Sequence, residues 1–452
     1  MTVNLNKDPI STSFYQYLWP ALAGMLTKSL FIMGDGLIIG IGIGVEGLGA
    51  LALIMPVFSI FTALAMMIGI GGAAKMSIDI GKGKINSSQV WFSQSTLLIV
   101  VTSIITAALA IIWLDDLLTL IGASGIIAQL ARDYLLIMLP FFTLYSGTWV
   151  LSCFVRNDSN PRLATYAMSS GAIVNLLFDY LFIMEMGMGI KGAAYGTITA
   201  QLVMSLILLS HFARVRGSLK LSLKGIGFSK ARDILAMGVP SFCVEMASAL
   251  TIILFNYILL TQFEESYIIA YGLNTNIGVF ALFVMVAVGQ ACQPILSFNH
   301  GAKRQPRIDE TIKLGLKVAI ISGSLFLIII WISAPFIASL YLGNLTQLIS
   351  LAVTALTYYF FAVPLMGFNI VVANLFQAIE KPQRATVLAL SRGFIFVVLG
   401  MLLLPMLFPS NGIWVSILFA EFLTAIMALI MLLNYFRDSR PDRAECISNF
   451  GT

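Results

Sequence analysis

Six ionisable residues lie deep within otherwise apolar runs of this chain: Lys28, Asp35, Asp179, Glu245, Arg392 and Glu421. In FIMGDGLIIG, residues 31–40, Asp35 is the single charge. An unpaired carboxylate at membrane depth costs several kcal/mol, so it needs a partner or a task. In GAIVNLLFDYLF, residues 171–182, Asn175 and Asp179 stand four residues apart and share a helix face. Thr197 lies in the next apolar run. Counted along their helices, Asp35, Asp179 and Thr197 reach similar depths in one half of the bilayer. Two carboxylates, an amide carbonyl and a hydroxyl at one depth make an oxygen-rich pocket. Such a set suits a hard cation such as Na⁺, or a proton shared between two carboxyls. The residue types do not choose between the two ions.

The remaining charges admit simpler accounts. Lys28 precedes Asp35 by seven residues, about 10 Å lower on the same face by the helical rise, and is a candidate structural neutraliser of it. Arg392 and Glu421 fall near mid-membrane on neighbouring spans of the second half, where an ion pair is the simplest reading and a substrate role the alternative. Glu245 has no evident partner; it either faces a central cavity and attracts cations or hydrogen-bonds as a neutral acid. With Gln290 and Asn369, these residues form a candidate substrate cavity or second-half polar network.

These positions require elements that span a membrane. The chain has 452 residues, of which 59% are hydrophobic and 10% charged, and the apolar excess is spread over its whole length. That balance excludes a soluble domain and implies an all-α polytopic membrane protein. The N-terminus lacks a cleavable-signal pattern. Apolar windows of about 20 residues or more give twelve spans: 14–41, 47–76, 89–114, 126–155, 160–186, 190–213, 231–261, 266–297, 311–341, 346–379, 383–408 and 411–436. Pro20, Pro140, Pro240 and Pro364 fall inside spans and predict kinks. Cys153, Cys243, Cys292 and Cys446 show no metal or disulfide spacing, and His211 and His300 sit at helix ends far apart.

Basic residues collect on alternate connections: Lys82 and Lys84; Arg156 and Arg162; Arg214, Arg216, Lys220, Lys224, Lys230 and Arg232; Lys303, Arg304, Arg307 and Lys313; Lys381 and Arg384; Arg437, Arg440 and Arg443. The opposite connections carry the acidic pairs Asp115–Asp116 and Glu264–Glu265. This bias predicts both termini in the cytoplasm. The net charge of +5 reflects the asymmetry and calls for no nucleic-acid partner.

The two halves repeat one another. LWPALAGML (18–26) returns as GVPSFCVEM (238–246), GKGK (81–84) as GAKR (301–304), NPRLAT (160–165) as KPQRAT (381–386), and GIKGAAYGTITAQ (189–201) as SNGIWVSILFAE (410–421). Four ordered matches at a near-constant offset of 220 or 221 give a 6+6 repeat. An even number of spans per repeat keeps both halves in one orientation, so two six-helix lobes are related by an axis along the membrane normal. The boundaries are an N-lobe over 1–213, an inter-lobe loop over 214–230, a C-lobe over 231–437 and a tail over 438–452. Proteins built this way bind substrate between the halves and work by alternating access.

At these residues the chain resembles the multidrug and toxic-compound extrusion (MATE) family, in its bacterial DinF/MepA-like branch. The resemblance covers nearly the whole chain. It is carried by WPALAGML through GDGLIIG, the Asn175/Asp179 pair, GMGIKGAAYGT, GQACQPILSFNHGAK (289–303), NLFQAIEKP (374–382) and NGIWVSILFAE. The family's glutamine-proline-asparagine-glycine pattern matches Gln293-Pro294, Asn299 and Gly301.

The resemblance implies a bacterial inner-membrane antiporter, without cofactor or obligate protein partner, that exports cationic amphipathic compounds against Na⁺ or H⁺. It places the coupling-ion site of the family on Asp35, Asn175, Asp179 and Thr197, with Tyr134 beside them. A lipid or lipid-linked precursor flippase of the same superfamily is the alternative, although fourteen spans would be expected there. Residues 346–379 contain no aspartate, where the NorM-like branch has one. Two further departures are local: Glu380 stands where a glycine is common before Lys-Pro, and Lys28 adds a positive charge below Asp35. An intramembrane enzyme would want clustered carboxylates, and the major-facilitator loop motif is absent from IDIGKGKIN (78–86).

Overall fold

A computed structural model describes residues 3–213, 219–222, 225–343, 345–409 and 411–439. Arg214, Arg216, Lys224, Arg440, Arg443 and Cys446 lie outside the described residues, as do parts of the inter-lobe loop and tail. Among the described residues, twelve helices are long and apolar enough to cross a membrane. They are α1 Ile10–Gly42, α2 Val45–Gly81, α3 Ile85–Ile112, α4 Gly125–Asn157, α5 Pro161–Glu185, α6 Ile190–Phe212, α7 Phe228–Gln262, α8 Glu265–Gly301, α9 Gln305–Leu342, α10 Thr346–Ala378, α11 Pro382–Leu407 and α12 Gly412–Asp438. Each matches one expected span. The ends differ most where a polar end turn stays helical, the last turn at Gly81 and the first at Gln305, because backbone bonding continues past the apolar stretch.

Helices form here because the bilayer leaves backbone groups no other partners. Apolar side chains cover these helices all round, and Leu37, Ile332 and Leu340 are among many left exposed where lipid would cover them. The repeated NPRLAT and KPQRAT stretches start equivalent helices: Pro161 and Pro382 occupy the first turn, and the Asn160 side chain accepts the Leu163 amide at 3.3 Å. Pro140 sits in a tight 3₁₀ turn that interrupts α4, as a kink there requires, whereas α1, α7 and α10 run on through Pro20, Pro240 and Pro364. The end of α5, Tyr180–Glu185, and the stretch Ser391–Ile395 of α11 are wound as π-helix.

Packing follows the two halves with one crossing-over. The first half holds clusters around Phe61, Tyr134 and Phe142 and around Phe92 and Phe154. The larger core of the second half also takes in Val3, Leu5 and Ile10 to Leu18, so the start of α1 is anchored on the other half. In return, α2 packs along α7 and α8. We call the membrane face bearing Lys82, Lys84, Arg156, Arg162, Lys303 and Arg384 the basic face.

On that face the halves are closed by backbone contact. A Cβ added at Gly238 would stand 1.8 Å from the Met67 carbonyl oxygen, and one at Gly71 would stand 2.3 Å from that of Ile234. Nearer the surface, Gly81 and Gly301 face the carbonyls of Phe298 and Ile78 in the same way, at 2.1 and 2.0 Å. Gly81 and Gly301 are equivalent positions of the two repeats, so the contact lies on the axis relating them. Only the absence of a side chain permits such an approach.

Glu380 adds an electrostatic lock to this closure. Its φ is +60°, the left-handed region in which glycine is the ordinary occupant. Its carboxylate accepts from Lys75 of α2 at 2.5 Å and lies 4.0 Å from Lys82, just past the end of α2, and 3.7 Å from His300 of α8. His300, then Lys75 and Lys82, hold its carboxyl down at about 2 against an ordinary 4.5. A carboxyl lowered in the closed form favours closure fully above about pH 4.5 and loses that effect as the pH falls toward 2. Spin labels placed at Lys84 and Lys303 should therefore report a longer separation as the pH falls from about 4.5 toward 2. Glu380→Gln should lengthen it at neutral pH, because the second half then loses the charge that attracts Lys75 and Lys82 of the first.

Candidate functional site

Four helices bring the oxygen-bearing residues together near the face opposite the basic one. Asp35 is seven residues from the end of α1, and Asp179 six from the end of α5. Thr197 is seven residues into α6 and Tyr134 nine into α4, both helices entering from that face. At 1.5 Å per residue all four lie roughly 10 Å from their helix ends. Asp179 and Asn175 are buried, at 0% and 2% exposure, while Asp35 is partly open. The carboxyl groups of Asp35 and Asp179 come within hydrogen-bonding reach of each other. Asn175 Nδ2 reaches Asp179 Oδ1 and Thr197 Oγ1, each at 3.5 Å, and the Tyr134 hydroxyl lies 3.4 Å from Thr197 Oγ1. All five residues placed at this site from the sequence are thus neighbours.

Two oxygens of the group have no protein donor. Asn175 Oδ1 and Asp179 Oδ2 are buried and without a hydrogen-bond partner among the described residues. Such oxygens are costly unless a proton or cation satisfies them. Two carboxyls this close also cannot both remain charged without something between them. Among the described residues no three His, Cys, Asp or Glu side chains gather as a tightly held metal would need. Two acids, an amide and hydroxyls instead fit a proton or a weakly bound alkali cation.

Gly196 is part of the site and was not singled out from the sequence. A Cβ there would fall 2.0 Å from Asp179 Oδ1, so the bare backbone of α6 makes the space that carboxylate occupies. The signal was present in GAAYGT, but nothing in the sequence says which glycine faces the acid.

A cavity of about 110 Å³ leads from the site toward the middle of the molecule, lined among others by Asn175, Thr197, Gln201, Gly171, Trp149 and Lys28. The equivalent positions in the second half are closed. Adding the repeat offset takes Trp149 to Asn369, Gly171 to Arg392 and Gln201 to Glu421. Those three side chains form one buried network. Arg392 Nη2 and Nε bond Glu421 Oε1 at 2.7 and 3.1 Å, and Asn369 Nδ2 donates to Glu421 Oε2 at 2.7 Å. Arg392 fills the position that glycine leaves open in the first half. Removing one partner of a buried pair strands the other, so Arg392→Ala should cost about 3–5 kcal/mol of stability. Thermal melting of the detergent-purified protein would show it as a clear loss against the wild type.

The other sequence candidates are placed differently. Gln290 is bonded by Arg156 of the first half and is no part of the Arg392–Glu421 network. Lys28 does not neutralise Asp35. Its ammonium stands 5.1 Å from the ring centre of Trp149 and 5.3 Å from that of Phe283, and the charge that acts on it is Glu245. Glu245 therefore lies within electrostatic reach of Lys28, which the opposite half brings near it, without pairing with it. Seven residues of helical rise had separated Lys28 from Asp35 along α1; only packing could reveal a neighbour on α7.

The family model MatE matches residues 20–181 and 239–405, one block in each half of the chain. The chain belongs to the MatE family. Among curated members, the multidrug export protein MepA of Staphylococcus haemolyticus is 23% identical over 98% of this chain and 97% of its own length. MepA of Staphylococcus aureus is 22% identical over 94% of each. Of solved MatE-type structures, a multidrug resistance transporter in an outward-facing conformation superposes with a TM-score of 0.91 at 21% identity, covering 98% of this chain and 100% of its own. A Vibrio cholerae MATE transporter in the bent form gives 0.87 at 21% identity, covering 95% and 98%. The fold shared with these MatE transporters is the twelve-helix arrangement described above.

Proposed function

We propose that this chain is a secondary active exporter of the bacterial inner membrane, with both termini in the cytoplasm, and that it moves cationic amphipathic compounds outward in exchange for H⁺ or Na⁺. The observation that carries this reading is the pair Asp35 and Asp179, in contact at membrane depth beside two unsatisfied buried oxygens. Such a pair binds and releases a small cation. Asp35, Asn175, Asp179 and Thr197 hold the ion, and Tyr134 supports Thr197. Export follows if ion and substrate prefer different lobe arrangements, typically by about 1–3 kcal/mol. Closure at the basic face by the Gly71–Gly238 and Gly81–Gly301 contacts supplies one such arrangement. Relatives named as export proteins support transport rather than catalysis.

Reconstitution in liposomes with a fluorescent cationic dye, under separately imposed pH and Na⁺ gradients, tests the proposal. Dye movement driven by one gradient establishes antiport and names the ion. If neither gradient moves dye, the antiporter reading fails and lipid substrates become the reading to test.

A further inference from the structure

Lys28 and Glu245 sit on α1 and α7, the first helix of each half, close enough to act on each other electrostatically. Each is partly open rather than sealed in a core. They act on each other electrostatically, yet their charged atoms stay more than 4.0 Å apart, so they do not form a closed ion pair. Among the described residues neither side chain makes a hydrogen bond. Lys28 is held between the ring faces of Trp149 and Phe283, one from each half, and lines the cavity that also reaches Tyr145 and Phe31. Two opposite charges outside any closed pair, the ammonium flanked by aromatic rings, are a poor structural device. A direct pair would be cheaper to bury.

We propose that Lys28 and Glu245 are specificity-determining residues for amphipathic substrates that carry an acid as well as an amine. This rests on the exporter reading above and narrows its substrate class. The substrate carboxylate accepts from the Lys28 ammonium, its amine donates to the Glu245 carboxylate, and its aromatic body lies against Trp149 and Phe283. A compound that is only cationic gains at Glu245 but meets the Lys28 charge, which disfavours it. A compound with both groups gains at each end. Because the two ends belong to different lobes, such a substrate also bridges them.

A rhodamine carboxylic acid and its methyl ester provide a matched pair, the first zwitterionic and the second cationic. Fluorescence anisotropy with the full-length protein in detergent should show the acid bound about tenfold more tightly than the ester. Lys28→Gln should lose binding of the acid and tighten that of the ester, reversing the order. Lys28→Arg, which keeps the charge, should keep the preference. Glu245→Gln should weaken both. Equal or tighter binding of the ester by the wild type overturns the proposal, as does binding of neither probe. So does a preference that survives Lys28→Gln. The exporter reading is judged separately in proteoliposomes: gradient-driven movement of the ester without any preference for the acid leaves that reading standing and rejects this one.

Discussion

Asp35→Asn is expected to bring gradient-driven export down to the passive leak while the protein still folds and binds substrate. Asparagine has nearly the shape of aspartate but cannot take up a proton or hold a cation by charge. The contact with Asp179 then no longer depends on the ion, and the ion loses its differential hold on the two lobe arrangements. Coupling of about 1–3 kcal/mol corresponds to a 5- to 150-fold bias, and this is the amount the variant forfeits. Asp179→Asn should behave alike, since its carboxylate is the buried half of the pair. Gly196→Val offers a check that leaves both acids in place. Its Cβ would enter the 2.0 Å space at Asp179 Oδ1 and drive that carboxylate out of position. Liposome export under the coupling gradient, with substrate binding measured in detergent, separates loss of coupling from loss of fold. Full coupled transport by Asp35→Asn would reject the site. Glu245 would then be the next acid to test, because Glu421 is tied to Arg392 by two bonds to one oxygen and to Asn369 by another.

Gly238→Val should open the basic face. The added Cβ meets a backbone carbonyl at 1.8 Å, and a carbonyl within α2 cannot turn aside without breaking its own helix. The lobes must separate there. Overpacking typically costs about 1–3 kcal/mol, enough to shift a two-state ratio by about 5- to 150-fold toward the arrangement in which α2 and α7 are apart. The core of each half is untouched, so the fold should persist. Spin labels at Lys84 and Lys303 should report a longer separation in this variant than in the wild type. An unchanged distance would mean that closure at this face does not depend on the contact between Met67 and Gly238. Glu380→Gln should produce the same direction of change with a smaller amplitude, since it removes an attraction rather than inserting a clash.

Much of this molecule is legible along the chain because a membrane imposes simple rules. Twelve apolar runs must be twelve helices, since no other structure of one chain segment satisfies its backbone in lipid. The repeats, read from proline, glycine and basic landmarks, mark positions such as Gly81 and Gly301 that then meet in space. Asp35, Asn175, Asp179 and Thr197 could be grouped by depth alone, because helical rise converts residue count into height. Depth does not give azimuth. Lys28 shares a helix and a face with Asp35, and the sequence offered that acid as its partner. Its neighbours are instead Trp149, Phe283 and Glu245 on three other helices.

The same limit explains Glu380 and the second-half network. Nothing local says that Glu380 will face Lys75, which is 305 positions away, or that its backbone will be left-handed. Equivalent residues of the two halves also diverge in ways a repeat cannot announce: an open cavity beside Gly171, and an arginine filling the matching space at Arg392. The sequence by itself determined what is decided by burial and height, namely the number of helices, their pairing into two halves and the level of the acids. The tertiary structure alone decided which side chains face each other across helices and lobes. Those contacts depend on helix rotation and inter-lobe packing, which long-range contacts set and no local pattern encodes.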